Sequence, residues 1–150
     1  MAETSTIRER LDWEASPGLQ RRIRRLWVRH SIAEDRRDLQ GLIDTLAPDC
    51  VYEIEATGQR WQGHDGARAF YTSFLGAFPD VHFDLRDIVI GPQGVIEVAT
   101  MTGTHRGEWA GMAPSGQPVR LTIVIHFPWD PDAARFAGER IYFDRAALAG

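Results

Sequence analysis

The sequence predicts an α+β domain in which a curved antiparallel sheet wraps around N-terminal helices and leaves a cone-shaped pocket. Helical spacing of apolar residues dominates up to Phe78, and the period changes to two from Val81 onward. Helices followed by a four-strand antiparallel run define this class. A chain of 150 residues buries roughly 70% of its extended surface on folding. With 43% hydrophobic residues it can form one core without a metal or disulfide.

Residues 1 to 16, rich in Ser, Thr and charge, read as a flexible N-terminal segment before a domain spanning 17–150. Neither a signal peptide nor a membrane span is expected, because Arg8, Glu9, Arg10 and Asp12 break the stretch from Ile7 to Trp13. From Pro17, Leu19, Ile23, Leu26 and Trp27 mark one face of a helix. Continuing at ~100° per residue puts His30 and Glu34 on that same stripe. A short second helix fits Asp38 to Leu46, closed by Pro48-Asp49. Cys50 to Glu55 then reads as a strand, Thr57-Gly58 as a turn and Arg60 to Gln62 as a return strand. The next helix has Asp65 placed to cap it, with Ala67, Phe70, Tyr71, Phe74, Leu75 and Phe78 on one face.

Val81, Phe83 and Leu85 alternate with polar residues, but Ile88 and Ile90 fall on the opposite parity, which predicts a β-bulge near Arg86-Asp87. Gly91-Pro92-Gln93-Gly94 turns the chain into a strand from Val95 to about His105. A loop from Trp109 to Gly116 leads to the alternation of Val119, Leu121, Ile123, Ile125 and Phe127, and Pro128 to Ala134 reads as a turn. The last strand, Arg135 to Phe143, shows Ala137, Glu139, Ile141 and Phe143 on its more aliphatic face.

Composition removes several function classes. Cys50 is the single cysteine, so an internal disulfide and Cys-x-x-Cys chemistry are excluded and a cytoplasmic setting is expected. All 17 basic residues are arginine, which excludes Schiff-base lysine chemistry and the phosphate-binding P-loop. Asparagine is absent too. A net charge of −4 argues against nucleic-acid binding despite the arginines at 21, 22, 24, 25 and 29.

Three ionisable residues sit on otherwise apolar faces. Glu139 in an apolar cone is a candidate general acid/base, because burial raises a carboxyl pKa toward the working pH; the alternative is a structural glutamate paired with an arginine or with His30. His30 and Glu34 lie one turn apart, so Glu34 can hold His30 in one tautomer. No metal is expected, since the three share no recognisable spacing. Tyr52, Trp61, Tyr71 and Phe74 border the inferred pocket and suit a flat hydrophobic ligand. Whether Tyr52 or Glu53 faces inward depends on strand register. His64 and His105 read as loop or surface residues, and Cys50 as a small buried group.

The segment Trp61-Gln-Gly-His-Asp-Gly-Ala-Arg-Ala-Phe70-Tyr71, the hairpin from Gly103 to Gly116 and the ending Gly138-Glu-Arg-Ile-Tyr-Phe-Asp144 resemble the SnoaL-like polyketide cyclases of the nuclear transport factor 2-like superfamily. The resemblance covers about residues 18 to 150. It implies a polyketide-type ligand in the cone, no cofactor, and acid/base closure of a ring by an aspartate on the last strand with a histidine on the strand before. With Asp144 laid on the family's corresponding acidic residue, those two positions fall on Ile141 and Ile125. In ketosteroid isomerases of the superfamily a donor tyrosine lies near the place of His30, and the catalytic aspartate's place falls at about Ile54.

The combined expectation is a small cofactor-independent enzyme acting on a hydrophobic polyketide-like or cyclic molecule by cyclisation, isomerisation or a related lyase reaction. Glu139 is its acid/base, His30 and Glu34 assist, and Tyr52, Glu53, Trp61, Tyr71, Phe74, Ile125 and Ile141 line the ligand. The competing expectation is a non-catalytic binding or dimeric scaffold domain. Epoxide hydrolysis ranks last, for want of an inward Asp pair with an Arg. Arg120, His126 and Arg140 lie on the opposite sheet face, where the resemblance implies a homodimer.

Overall fold

Thr6 and Glu9 form a capping box that starts α1 (Ile7–Leu11) inside the segment read as a tail. The computed structural model describes residues 5–149. Ser16 accepts the Leu19 N–H and Pro17 occupies the first turn, so α2 (Pro17–Asp35) begins where the sequence places it. Ile23, Leu26, Trp27, His30 and Ala33 form its buried stripe. Asp38 caps α3 (Leu39–Ile43), which is shorter than its apolar spacing suggests. Leu46 already belongs to β1 (Leu46–Ile54) and pairs with Phe136, so Pro48-Asp49 lies within the strand and ends no helix.

β2 (Gln59–Gln62) returns against β1, and α4 (Gly63–Ala77) follows. Gln62, not Asp65, holds the N-cap position of α4; Asp65 lies inside the first turn, where its charge still favours the positive end of the helix dipole. Then come β3 (His82–Gly91), β4 (Gly94–Thr104), β5 (Pro118–Asp130), β6 (Arg135–Phe143) and a closing 3-10 turn, Arg145–Ala149. β5 runs through Pro128, so the turn before β6 is shorter than the sequence suggests. The bulge expected near Arg86-Asp87 appears as a register shift between Leu85 and Asp87.

Among the described residues six strands form one curved, open sheet in the order β2-β1-β6-β5-β4-β3. Its pairings are antiparallel except β1 with β6, which run parallel and set Tyr52 opposite Glu139. The helices cover the concave face, and Ile23, Leu42, Tyr52, Phe70, Tyr71 and Phe136 are among the side chains buried between them.

One local device aims Glu139. Between the pairs His126↔Arg140 and Trp129↔Phe136, β6 spends four residue steps where β5 spends three. The extra residue flips the parity of β6. Phe136 is therefore inward and fully buried, while Ala137 lines an outer groove, contrary to the strict alternation read from sequence. Glu139 and Ile141 resume the inward face. Gly138, at φ +121°, makes this possible, since a Cβ there would lie 1.9 Å from the Val51 carbonyl oxygen.

Candidate active site

Five elements deliver one buried polar cluster into the apolar cone. His30 comes from α2, Thr45 from the turn after α3, Tyr52 from β1, Tyr71 from α4 and Glu139 from β6, and none is more than 2% exposed. His30 Nε2 lies 3.2 Å from Glu139 Oε2. The Tyr71 hydroxyl donates to the same Oε2 at 2.5 Å and sits 3.0 Å from His30 Nε2. Tyr52 reaches Tyr71 at 2.8 Å.

The donors follow from this network. The Thr45 hydroxyl donates to the Leu42 carbonyl at 2.7 Å, so it accepts from His30 Nδ1–H, also at 2.7 Å. Thr45, not Glu34, therefore fixes the His30 ring, and no His30–Glu34 hydrogen bond occurs among the described residues. Since Tyr71 gives its proton to Glu139, it accepts from Tyr52. An unpaired buried carboxylate would cost several kcal/mol; here Oε2 accepts from Tyr71 and lies 3.2 Å from His30 Nε2, while Oε1 takes part in none of these bonds. Burial, and next the nearby Glu139 carboxylate, push the Tyr52 and Tyr71 hydroxyls well above the ordinary tyrosine range, so both remain protonated donors.

Glu139 borders a cavity of about 20 Å³ walled by Phe74, Trp109, Ile125, Ile141 and their neighbours. That is room for about one water molecule. Trp109 from the β4–β5 loop and Leu148 from the closing turn are both buried against it. Arg145 fastens these two covers together, donating to the carbonyls of Ala110 at 2.6 Å and Gly111 at 3.2 Å. A second cavity of about 80 Å³ lies under α2, lined by Trp27, His30, Glu34, Phe83, Glu97 and Phe127 with three neighbours. Glu34, half-buried, borders both. Burial, then Glu139, Glu97 and Asp35, hold the Glu34 carboxyl well above the usual range.

The other sequence candidates divide by face. Phe74, Ile125 and Ile141 line the inner cavity. Tyr52 faces inward, and Glu53 faces the other way, pairing with Arg60 at 3.6 Å on the rim of an outer groove; alternation along β1 permits only one of the two inside. Trp61 stands behind the cavity wall, stacked on Trp109 with ring centroids 6.4 Å apart. His105 is fully buried and stacks on Phe78 at 5.1 Å, so it is no surface residue. His64 bonds the Leu46 carbonyl at 3.1 Å, and Cys50 is buried as expected.

Sequence reasoning missed Glu97. It occupies the inward face of β4 at 6% exposure, between Val95 and Ala99. Burial, then the charge of Glu139, raise its carboxyl from 4.5 to about 8, and nothing opposes them. The series Val95, Glu97, Ala99, Met101 carried the signal, a carboxyl on an apolar period-two face.

A profile of the SnoaL-like polyketide cyclases matches residues 19–149. Among curated proteins, none matches the chain. Among solved structures, AclR of Streptomyces galilaeus, provisionally a hydroxylase, is 25% identical with a TM-score of 0.67, over 86% of this chain and 79% of its own. A provisional SnoaL-like polyketide cyclase from Jannaschia sp. CCS1 is 22% identical with a TM-score of 0.73, over 91% and 94%. TerC, co-crystallised with polyporic acid, is 14% identical with a TM-score of 0.67, over 85% and 95%. The last two likenesses concern the fold alone. With the profile covering most of the sequence, and the fold shared with these structures, the chain belongs to the SnoaL-like polyketide cyclase family.

Proposed function

We propose that this chain is a cofactor-independent acid/base enzyme acting on a hydrophobic polyketide-like or cyclic ketone, with residues 17–150 as its functional unit. Cyclisation, isomerisation and a related lyase reaction share one step, removal of a proton from carbon beside a carbonyl. Glu139 takes and returns that proton. His30 and Tyr71 are positioning residues that hold its Oε2 and leave Oε1 for the ligand, and Glu34 stands at the mouth of the same space. One observation carries the reading: a carboxyl group that accepts from Tyr71 and touches His30 at the wall of an apolar cavity. An acid/base group so placed contributes on the order of 10²- to 10⁴-fold in rate. TerC's polyporic acid, a ligand of a protein with this fold, fits the ligand class. Turnover of aromatic polyketide esters and cyclic ketones by wild type and by Glu139→Gln tests it, and equal rates for the two proteins reject it.

A second reading, a non-catalytic binding or scaffold domain, draws on the size of the inner cavity, which at about 20 Å³ holds no ring. Under the enzyme reading the cover formed by Trp109 and Leu148 opens to admit substrate. We also infer a cytoplasmic homodimer formed through the outer sheet face. Ile96 and Tyr142 are exposed there at 41% and 42%, and Ile96, His126 and Arg140 align across three strands. Sedimentation of wild type against Ile96→Glu checks the dimer; two dimers of equal strength would place the interface elsewhere.

A further inference from the structure

We propose that the cavity under α2 is an oxygen-binding subsite, in which the Trp27 indole N–H and the Glu97 carboxyl both donate to a carbonyl or enolate oxygen of the substrate. The inference rests on the acid/base reading of Glu139 for its chemical consequence, and on separate residues for its geometry. Trp27 is buried to 8% exposure, and its Nε1–H has no hydrogen-bond partner among the described residues. A buried donor left unpaired costs about 1–3 kcal/mol. Trp27 lines the same cavity as Glu97, and the remaining walls include the aromatic rings of Phe83 and Phe127.

The charge balance of this cavity selects the ligand. Its titratable lining is His30, Glu34, Asp35 and Glu97. Burial and the neighbouring carboxylate of Glu139 raise the Glu97 carboxyl to about 8 and the Glu34 carboxyl well above the usual range, with Arg37 opposing this only at Glu34. The Arg37 guanidinium is spent on the backbone carbonyls of Glu34, Asp35, Pro79 and Val81. A protonated carboxyl and an indole N–H are both donors. Together they ask for an acceptor, and the aromatic walls ask for a planar group carrying it. An aryl or cyclic ketone satisfies both.

The subsite is one side chain away from the base. His30 lines this cavity and touches Glu139 at 3.2 Å. Glu34 borders both this cavity and the one Glu139 lines, so a ketone with its oxygen between Trp27 and Glu97 lies where the two spaces adjoin. When Glu139 takes the proton, the C–H electron pair becomes the C=C bond of an enolate, the carbonyl π pair moves to oxygen, and the two donors stabilise the new charge. Return of the proton to the same or another carbon closes the balance without an oxidant or co-reactant. The arrangement sets Glu139 as base against Glu97 as acid, whose carboxyl burial raises to about 8.

Acetophenone labelled with ¹³C at its carbonyl tests the subsite, because the carbonyl shift reports donated hydrogen bonds and the probe does not titrate. Wild type should move the carbonyl resonance downfield, and affinity should fall as pH rises through about 8, where Glu97 ionises. Glu97→Gln keeps shape and an N–H donor, so the fall across that range should shrink to the part carried by Glu34. Trp27→Phe and Glu97→Leu should each bind about tenfold more weakly, the equivalent of one hydrogen bond. If Glu97→Leu does not fold, the pH profile of Glu97→Gln decides. No carbonyl shift in wild type, unchanged affinity in both donor variants, or a fall in affinity near pH 8 as large in Glu97→Gln as in wild type overturns the subsite. Glu139→Gln separates the two claims: retained probe binding with unaltered turnover removes the acid/base reading and leaves the subsite, whereas lost turnover with donor variants that bind normally does the reverse.

Discussion

The Tyr71 hydroxyl, on α4, donates to Glu139 Oε2, on β6, across 2.5 Å. A charge-assisted O–H···O⁻ bond of that length is at the strong end of its class. It ties the helix layer to the sheet at the point where the only carboxylate of the His30–Tyr71–Glu139 trio lies. Tyr71→Phe should cost about 1.5–3 kcal/mol, because it removes a bond to a charged acceptor and strands the Tyr52 hydroxyl as well. Urea denaturation of the two proteins measures it, and a loss below about 0.5 kcal/mol contradicts the network.

Stability should depend on pH through Glu97. Its folded-state carboxyl is raised to about 8 from an ordinary 4.5, so the folded state holds a proton that the unfolded chain gives up. That contribution is complete below 4.5, shrinks by up to about 1.4 kcal/mol per pH unit above it, and is gone once pH passes about 8. Glu97→Gln, which cannot ionise, should therefore melt higher than wild type at pH 9 and close to it at pH 5, provided Glu34, raised in the same direction, is intact in both. Equal melting differences at the two pH values would show Glu97 to be solvated.

The bulge should tolerate no side chain. Gly138→Ala places a Cβ 1.9 Å from the Val51 carbonyl oxygen at a φ of +121°. Backbone must move, so a loss of about 3 kcal/mol or more is expected. Calorimetry checks it, and a melting point within a few degrees of wild type would mean the parallel β1–β6 pair shifts at little cost.

Access to the inner cavity should depend on Arg145. Arg145→Ala removes the bonds that hold the Ala110 and Gly111 carbonyls to the closing turn. Amide hydrogen exchange in residues 106–112 should accelerate at least about tenfold, the expectation for losing about 1.4 kcal/mol of local stability. Exchange there at the wild-type rate would assign the cover elsewhere.

What the sequence makes legible follows periodicity. The α2 stripe placed His30 inward because a 3.6-residue period continues through polar positions, and β6 offered Glu139 among aliphatic neighbours. The residues that complete the cluster are harder to see. Tyr71 sits on an apolar helix face, where a tyrosine reads as plain core, and its hydroxyl partner lies 68 residues away. Thr45 falls on a polar position inside the apolar spacing of Asp38 to Leu46, where it reads as one more helix residue, yet α3 ends at Ile43 and leaves it in the turn. Glu97 was visible in the alternation of β4 yet stood outside the positions, Ile125 and Ile141, to which the resemblance directed attention. The inward turn of Phe136 was hidden because a bulge reverses parity without changing composition, and only Gly138 hints at it. Leu46 continues the apolar spacing of α3, but pairing with Phe136 claims it for the sheet, a tertiary preference that local spacing does not report.

Proton movement at carbon is the most direct measure of the chemistry. In deuterium oxide, 2-tetralone incubated with wild type should take up deuterium beside its carbonyl, followed by proton NMR, at least about a hundredfold faster than with Glu139→Gln of equal melting temperature. Wash-in at the same rate with either protein would contradict a catalytic Glu139.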